Sequence, residues 1–301
     1  MDDVQLPRAP SSGPSFPEHP ALRPGVRVVR RDHDRLQVGL RPGERLLLPD
    51  EPAVRALLEA VRTGERPDLD CPRVRGWAFA LVDGGLVVDR DRVAALMGSG
   101  LPRPVVQAAL AQAGPDAGHR LAGRTAARVG LDADGAWGDE TVALLGEAGL
   151  RRAETWEPAT VRLLLSPGGE LPRPHVDGLM RSGAAHLVVA NVAGRVRVGP
   201  FVAPGLSACL RCVDAHASDR DPGHGLVVEQ HGPVADEPCD PLLMRLALAL
   251  AVRDLASYVE GELPATWSAT VSVEPDLRLE RQEWTRHPRC GCAWGEGLAT
   301  A

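Results

Sequence analysis

Lysine is missing from all 301 residues of this chain, so each of its 34 basic residues is arginine. That absence excludes any step that needs a lysine as phosphate clamp, proton acceptor or Schiff-base former. Isoleucine is missing as well, and the two absences together point to a GC-rich coding sequence rather than to function. No stretch reaches the roughly 20 uninterrupted apolar residues that span a bilayer. The longest candidate, "PLLMRLALALAVRDLASYV" from Pro241, is broken by Arg245, Arg253 and Asp254. The start, Met-Asp-Asp, lacks the basic and apolar segments of a signal peptide, which gives a cytoplasmic location and no membrane as the expectation. There is no excess of positive charge either. A net charge of -6 leaves no footprint for nucleic acid. In that setting six cysteines are expected to be reduced or metal-bound, not paired in a disulfide framework.

What is present reads as two folded parts. Residues 1–21 are rich in Pro, Ser and Gly and are expected to be a mobile tail. From Val26, alternation predicts short strands near 26–31, 35–40 and 45–49. "DEPAVRALLEAVRTGE" then predicts a helix capped by Asp50, with Val54, Leu57, Leu58 and Val61 on one face. "VRGWAFALVDGGLVVDRD" predicts a helix stopped at Gly84–Gly85 and a strand at Leu86–Asp89. Residues 22–89 thus make a small winged-helix-like unit, and residues 90–124 read as a helical connector. From 125 to 301 strand and helix patterns alternate, which predicts an α/β domain with a largely parallel sheet.

Cys209 and Cys212 in "CLRC" and Cys290 and Cys292 in "RCGC" form the strongest chemical signal. Two close-set thiol pairs far apart in sequence suit a tetrahedral zinc site, and four sulfurs leave no open position, so the metal is structural. A redox CxxC would work without the distant second pair. His216 and His224 read as neighbours of that site, and "VDAHASDRDP" as a loop around it.

Gly130, Gly135 and Gly138 stand where a nucleotide loop belongs. Asp132, Asp134 and Asp139 crowd that turn with negative charge and Trp137 adds bulk, which argues against ATP. Cys239 is a weak catalytic candidate, because Asp240 and Glu237 beside it disfavour a thiolate. Cys71 carries less weight still. The strand "ERLLLP" has an edge that could accept an added peptide strand. The arginines nearby alternate with acids, which disfavours DNA.

The block "VRVGPFVAPGLSACLRCVDAHASDRDP" with the distal "HPRCGCAWG" resembles ThiF-like proteins of azole-forming natural-product clusters, relatives of ubiquitin-activating enzymes. Residues 22–89 are similar to the PqqD-like unit that holds leader peptides. The resemblance implies a Rossmann-type α/β domain with structural zinc behind a winged-helix unit. It implies leader contacts at Arg45, Leu46, Leu47 and Leu48 on a strand and at Arg73, Trp77 and Leu81 on a helix. The partners implied are a precursor leader peptide and a YcaO-type ATP-dependent cyclodehydratase, the chain itself being a non-catalytic partner, with homodimerisation open. The rival readings are an active adenylyltransferase that activates a peptide or carrier carboxyl terminus, and a DNA-binding regulator with a zinc-bound sensor domain.

Overall fold

The computed structural model describes residues 15–133, 135–231 and 237–293. The chain divides into two compact units, Met1–Leu121 and Ala122–Ala301.

The first unit begins with β1 (Pro20–Leu22), followed by β2 (Val28–Arg30), β3 (Arg35–Val38) and β4 (Leu46–Pro49). Next come α1 (Pro52–Thr63), α2 (Pro72–Asp83), β5 (Val87–Asp89), α3 (Arg90–Met97), α4 (Arg103–Ala113) and the start of α5 (Ala117–Ala126). The antiparallel meander β2–β3–β4 follows from its polar turns, and β1 pairs antiparallel with β5. Val54, Leu57, Leu58 and Val61 of α1 are buried with Val38, Leu48, Ala78 and Leu81. Full burial of each large apolar side chain contributes about 1.5–3 kcal/mol, which is what holds so small a unit.

Three expectations change here. The mobile tail does not extend to residue 21: Phe16 is buried against the core and β1 is paired, while residues 1–14 lie outside the described residues. Glu51, not Asp50, occupies the N-cap of α1. The Asp50 carboxylate instead binds Arg30 at 2.7 Å and Arg55 at 2.5 Å. Residues 90–124 are no mere connector, since α3, α4 and α5 enclose a core of Val105, Val106, Ala109, Leu110, Ala117 and Leu121.

The second unit contains β6 (Arg128–Asp132), α6 (Gly135–Glu147), β7 (Arg151–Arg152), β8 (Val161–Ser166), α7 (Arg173–Ser182), β9 (His186–Val192) and β10 (Arg195–Val202). It continues with α8 (Leu210–Arg220), α9 (His224–Gln230), α10 (Pro241–Val259), β11 (Ala269–Val273) and β12 (Leu279–Glu283). Its seven-stranded sheet has the order β12-β11-β10-β9-β8-β6-β7. The sheet is mixed, with most of its strands running in one direction. β6 to β9 run parallel, but the tight Ala193–Gly194 turn makes β9 and β10 a hairpin, and β11 and β12 continue antiparallel. On one face α10 is nearly enclosed, with Met244, Ala247, Leu248, Ala251 and Leu255 at 0% exposure against Val129, Leu163 and Leu187. On the other, Val176, Leu210 and Val213 from α7 and α8 cover Leu164 and Val188. Among the described residues no helix is long and apolar enough to cross a membrane.

Candidate functional site

The two units carry separate candidate sites. In the first, the β3–β4 register pairs Leu36 with Leu48 and Gln37 with Leu47. The Asp50 amide donates to the Asp34 carbonyl directly opposite at 2.7 Å. Hydrogen-bonded pairs alternate in an antiparallel ladder, so Leu46 and Leu48 bond to β3 while the Leu47 N–H and C=O point away from it. Among the described residues no strand pairs with that outer edge of β4. The Pro49 nitrogen also faces outward, which is where a proline is tolerated in a sheet.

Leu47 is exposed, Leu46 is half-buried and Arg45 is exposed. On α2, Trp77 is half-buried and the Arg73 guanidinium lies over its ring, 4.8 Å from the centroid. Two expected contact residues are corrected. Leu48 (1% exposed) and Leu81 (0%) are core side chains and offer nothing to a peptide.

In the second unit α8 brings the first cysteine pair into place. Cys209 is the N-cap of α8 and Cys212 lies in its first turn. Cys292 lies in the 3-10 turn Gly291–Ala293 that follows β12, and Cys290 immediately precedes that turn. The four sulfurs all lie within 4.8 Å of one another. Cys209 Sγ is 3.7 Å from Cys212 Sγ and 3.6 Å from Cys290 Sγ, and Cys212 Sγ is 3.3 Å from Cys292 Sγ.

The His287 amide donates to Cys212 Sγ at 3.3 Å. Hydrogen bonding from Cys209, against the cost of burial, pulls the Cys212 thiol down to about 4, helped by that amide. Burial and the bonds to Cys212 and Cys290 push Cys292 up to about 12. Four thiols packed this closely cannot all ionise by themselves, because their charges repel in a buried setting. A soft divalent cation removes that conflict, so the donor set fits a structural metal.

The local context of "CLRC" is itself informative. It opens a helix after a strand, as a redox pair does, and only the distant pair distinguishes the two cases. "VDAHASDRDP" is helical up to Arg220 rather than a loop. His216 and His287 sit beside the cluster, their rings 4.7 Å apart edge to face, with His287 Nε2 2.9 Å from an Asp219 oxygen. His287 Nδ1 accepts from the Arg289 amide at 3.1 Å, so both ring nitrogens are engaged. His224 lies 3.6 Å from Asp214, away from the sulfurs' coordination.

The network behind α7 escaped the sequence reading. Arg173 (5% exposed) donates to both oxygens of Asp214 and, at 3.0 Å, to Glu170, which also accepts from Arg197 at 2.8 Å. Burial opposes ionisation of Glu170, but the two guanidiniums outweigh it and hold its carboxyl at about 2. No local motif announces this cluster, since its members come from α7 and the loop before it, β10 and α8.

The strand–turn–helix from β6 to α6 differs from expectation in two respects. Trp137 packs against the core instead of filling the turn. Asp132 is not a bare repelling charge: Arg162 pairs with it through Nη2 and Nε, and His175 Nε2 lies 3.1 Å away. Asp139 is exposed, and Asp134 lies outside the described residues. Gly135 takes the left-handed conformation at φ 67°, and Gly138 is close to the Ala133 carbonyl. A Cβ on Gly130 would come within 3.2 Å of Arg162, so the arginine takes the space this glycine leaves. Cys239 is partly buried, and burial with the neighbouring Asp240 raises its thiol pKa. Cys71 caps α2, where the amides of Val74 and Arg73 lower its thiol.

No protein-family model matches this sequence, and no curated protein does. Solved structures with the same fold exist. The heterocyclase TruD aligns over 92% of this chain and 43% of its own, with a TM-score of 0.69 and 15% identity. A heterocyclase in complex with substrate and cofactor aligns over 91% of this chain and 39% of its own, with a TM-score of 0.62 and 14% identity. MccB of E. coli aligns over 91% and 96%, with a TM-score of 0.57 and 11% identity. The chain therefore shares the fold of these proteins, spanning less than half of the two heterocyclases and nearly all of MccB.

Proposed function

We propose that this chain binds the leader of a ribosomally made precursor peptide and presents it to a YcaO-type, ATP-dependent cyclodehydratase. The first unit is the winged-helix, PqqD-like recognition unit. The second is a degenerate ThiF-like domain clamped by structural zinc at Cys209, Cys212, Cys290 and Cys292. The observation that carries this reading is the unpaired outer edge of β4, a strand that α2, the helix of Trp77 and Arg73, packs against. An extended peptide can add there as a strand, drawing affinity from the Leu47 backbone groups and specificity from the side chains alongside.

The arginine over Gly130 and the absence of lysine support a partner without its own nucleotide chemistry. The likeness to the heterocyclases supports the peptide-modifying setting. Fluorescence polarisation with the labelled leader of a candidate precursor peptide tests the reading. Saturable binding supports it, and no binding up to high micromolar peptide with metal-loaded protein ends it.

A second reading, adenylation of a peptide carboxyl terminus, is favoured by the near-complete alignment with MccB, which has also been solved with ATP. ATP–pyrophosphate exchange stimulated by a candidate peptide would replace the first reading with this one.

A further inference from the structure

The four-sulfur cluster is sealed on one side only. A cavity of about 750 Å³ lies against it, its wall including Cys209, Cys290 and Cys292 together with Met180, Arg181 and Ala215. Cys212 does not line this cavity and is fully buried, and Cys209 and Cys290 are 1% and 8% exposed. Cys292 alone is partly exposed. Its Sγ faces Cys212 Sγ at 3.3 Å, the shortest sulfur–sulfur approach recorded in the cluster. A metal keeps its cysteine ligands as thiolates, and the thiolate is the form that attacks oxidants. An accessible thiolate with a second sulfur in reach is the arrangement on which reversible oxidation runs.

We propose that Cys292 is an oxidative modification site, reached by small hydroperoxides through this cavity and resolved by Cys212. The Cys292 sulfur attacks the terminal peroxide oxygen, forming an S–O bond while the O–O bond breaks and hydroxide or alkoxide leaves. The Cys212 sulfur then attacks Cys292, forming the S–S bond and expelling a second hydroxide. Two thiolates lose two electrons, the peroxide gains them, and solvent protons convert the leaving groups to water or alcohol. The metal loses two of its four donors and departs. The turn carrying Cys290 and Cys292 then remains tied to α8 by a covalent bond in place of the metal. A thiol reductant with fresh metal reverses the change.

The experiment treats the full-length metal-loaded protein with hydrogen peroxide. It follows metal release with a chromogenic chelator and maps the bridge by mass spectrometry of the unreduced digest. One equivalent of metal released per chain, with a Cys212–Cys292 bridge removed by dithiothreitol, is the expected result. Ala215→Phe, at a position that lines the cavity without being one of the four cysteines, should slow release several-fold at unchanged metal content. Metal retained at peroxide doses that fully oxidise a free-cysteine control overturns the proposal, as does a bridge that excludes Cys292. Should purified protein carry no metal, the bridge mapping decides alone, and leader binding remains a separate measurement.

Discussion

Leu47 faces Gln37 across β4 and β3 without bonding to it, which leaves the Leu47 amide and carbonyl directed out of the sheet. Leu47→Pro therefore removes a donor that β3 does not use. It should leave the melting temperature nearly unchanged, because an outward-facing edge nitrogen tolerates proline. Leader affinity should fall about tenfold, the worth of one well-placed hydrogen bond. A polarisation titration beside a thermal melt checks both. An unchanged affinity in a folded variant would move the peptide away from this edge.

Trp77 gives a second handle on the same surface. Half-buried beneath Arg73, it offers a flat apolar face with a cation above it. Trp77→Ala should weaken leader binding by about 2 kcal/mol, as loss of an aromatic anchor does. Leu81→Ala, by contrast, should act through stability, costing about 2–5 kcal/mol for a cavity in the core. Calorimetry separates the two effects.

Cys209→Ser should release the metal, measured by elemental analysis, and lower the stability of the second unit by more than about 3 kcal/mol. The binding energy of a structural metal is also folding energy. The first unit has its own core and should melt as before, visible as a separate calorimetric transition. One merged transition shifted as a whole would contradict that independence.

Arg173→Met keeps the apolar stem of the side chain but strips Asp214 and Glu170 of their shared cation. Asp214 then loses both guanidinium bonds and Glu170 keeps only Arg197, a loss from a buried network that should cost about 3–5 kcal/mol in urea unfolding. The same network sets an acid limit. Glu170 ionises near 2 in the folded chain against 4.5 ordinarily. Its contribution is thus fully present above about pH 4.5 and is lost as pH falls through about 2. A shift of this size corresponds to about 3 kcal/mol. Urea midpoints between pH 6 and 2 should fall less steeply for Glu170→Gln than for the natural protein.

Much of this was legible in the sequence for identifiable reasons. The helix α1 announced itself by Val54, Leu57, Leu58 and Val61 on one face, and the four-cysteine cluster by two close thiol pairs. Periodicity does not give strand direction, so the antiparallel pairing of β10 to β12 was not legible in the sequence. The direction follows from a two-residue turn that places Ala193 and Gly194 at positive φ. Cap assignment failed at Asp50 because arginines from β2 and α1 compete for its carboxylate. The charge argument at Asp132 failed similarly, because Arg162 and His175 are distant in sequence and near in space. Long-range charge pairing is the part that a linear reading does not supply.

The two larger sheets treat their exposed edges in opposite ways. Every residue of β12 is exposed, and Glu280, Arg281 and Glu283 line its rim with alternating charge, which discourages an intruding strand. The β4 edge carries three consecutive leucines and is guarded only by Pro49, which halts a growing ladder at one end. An edge left open for one extended chain is open in principle to any other, including a second copy of itself. The protein without its peptide therefore carries a self-association hazard, and its solubility should improve when a leader peptide is co-expressed.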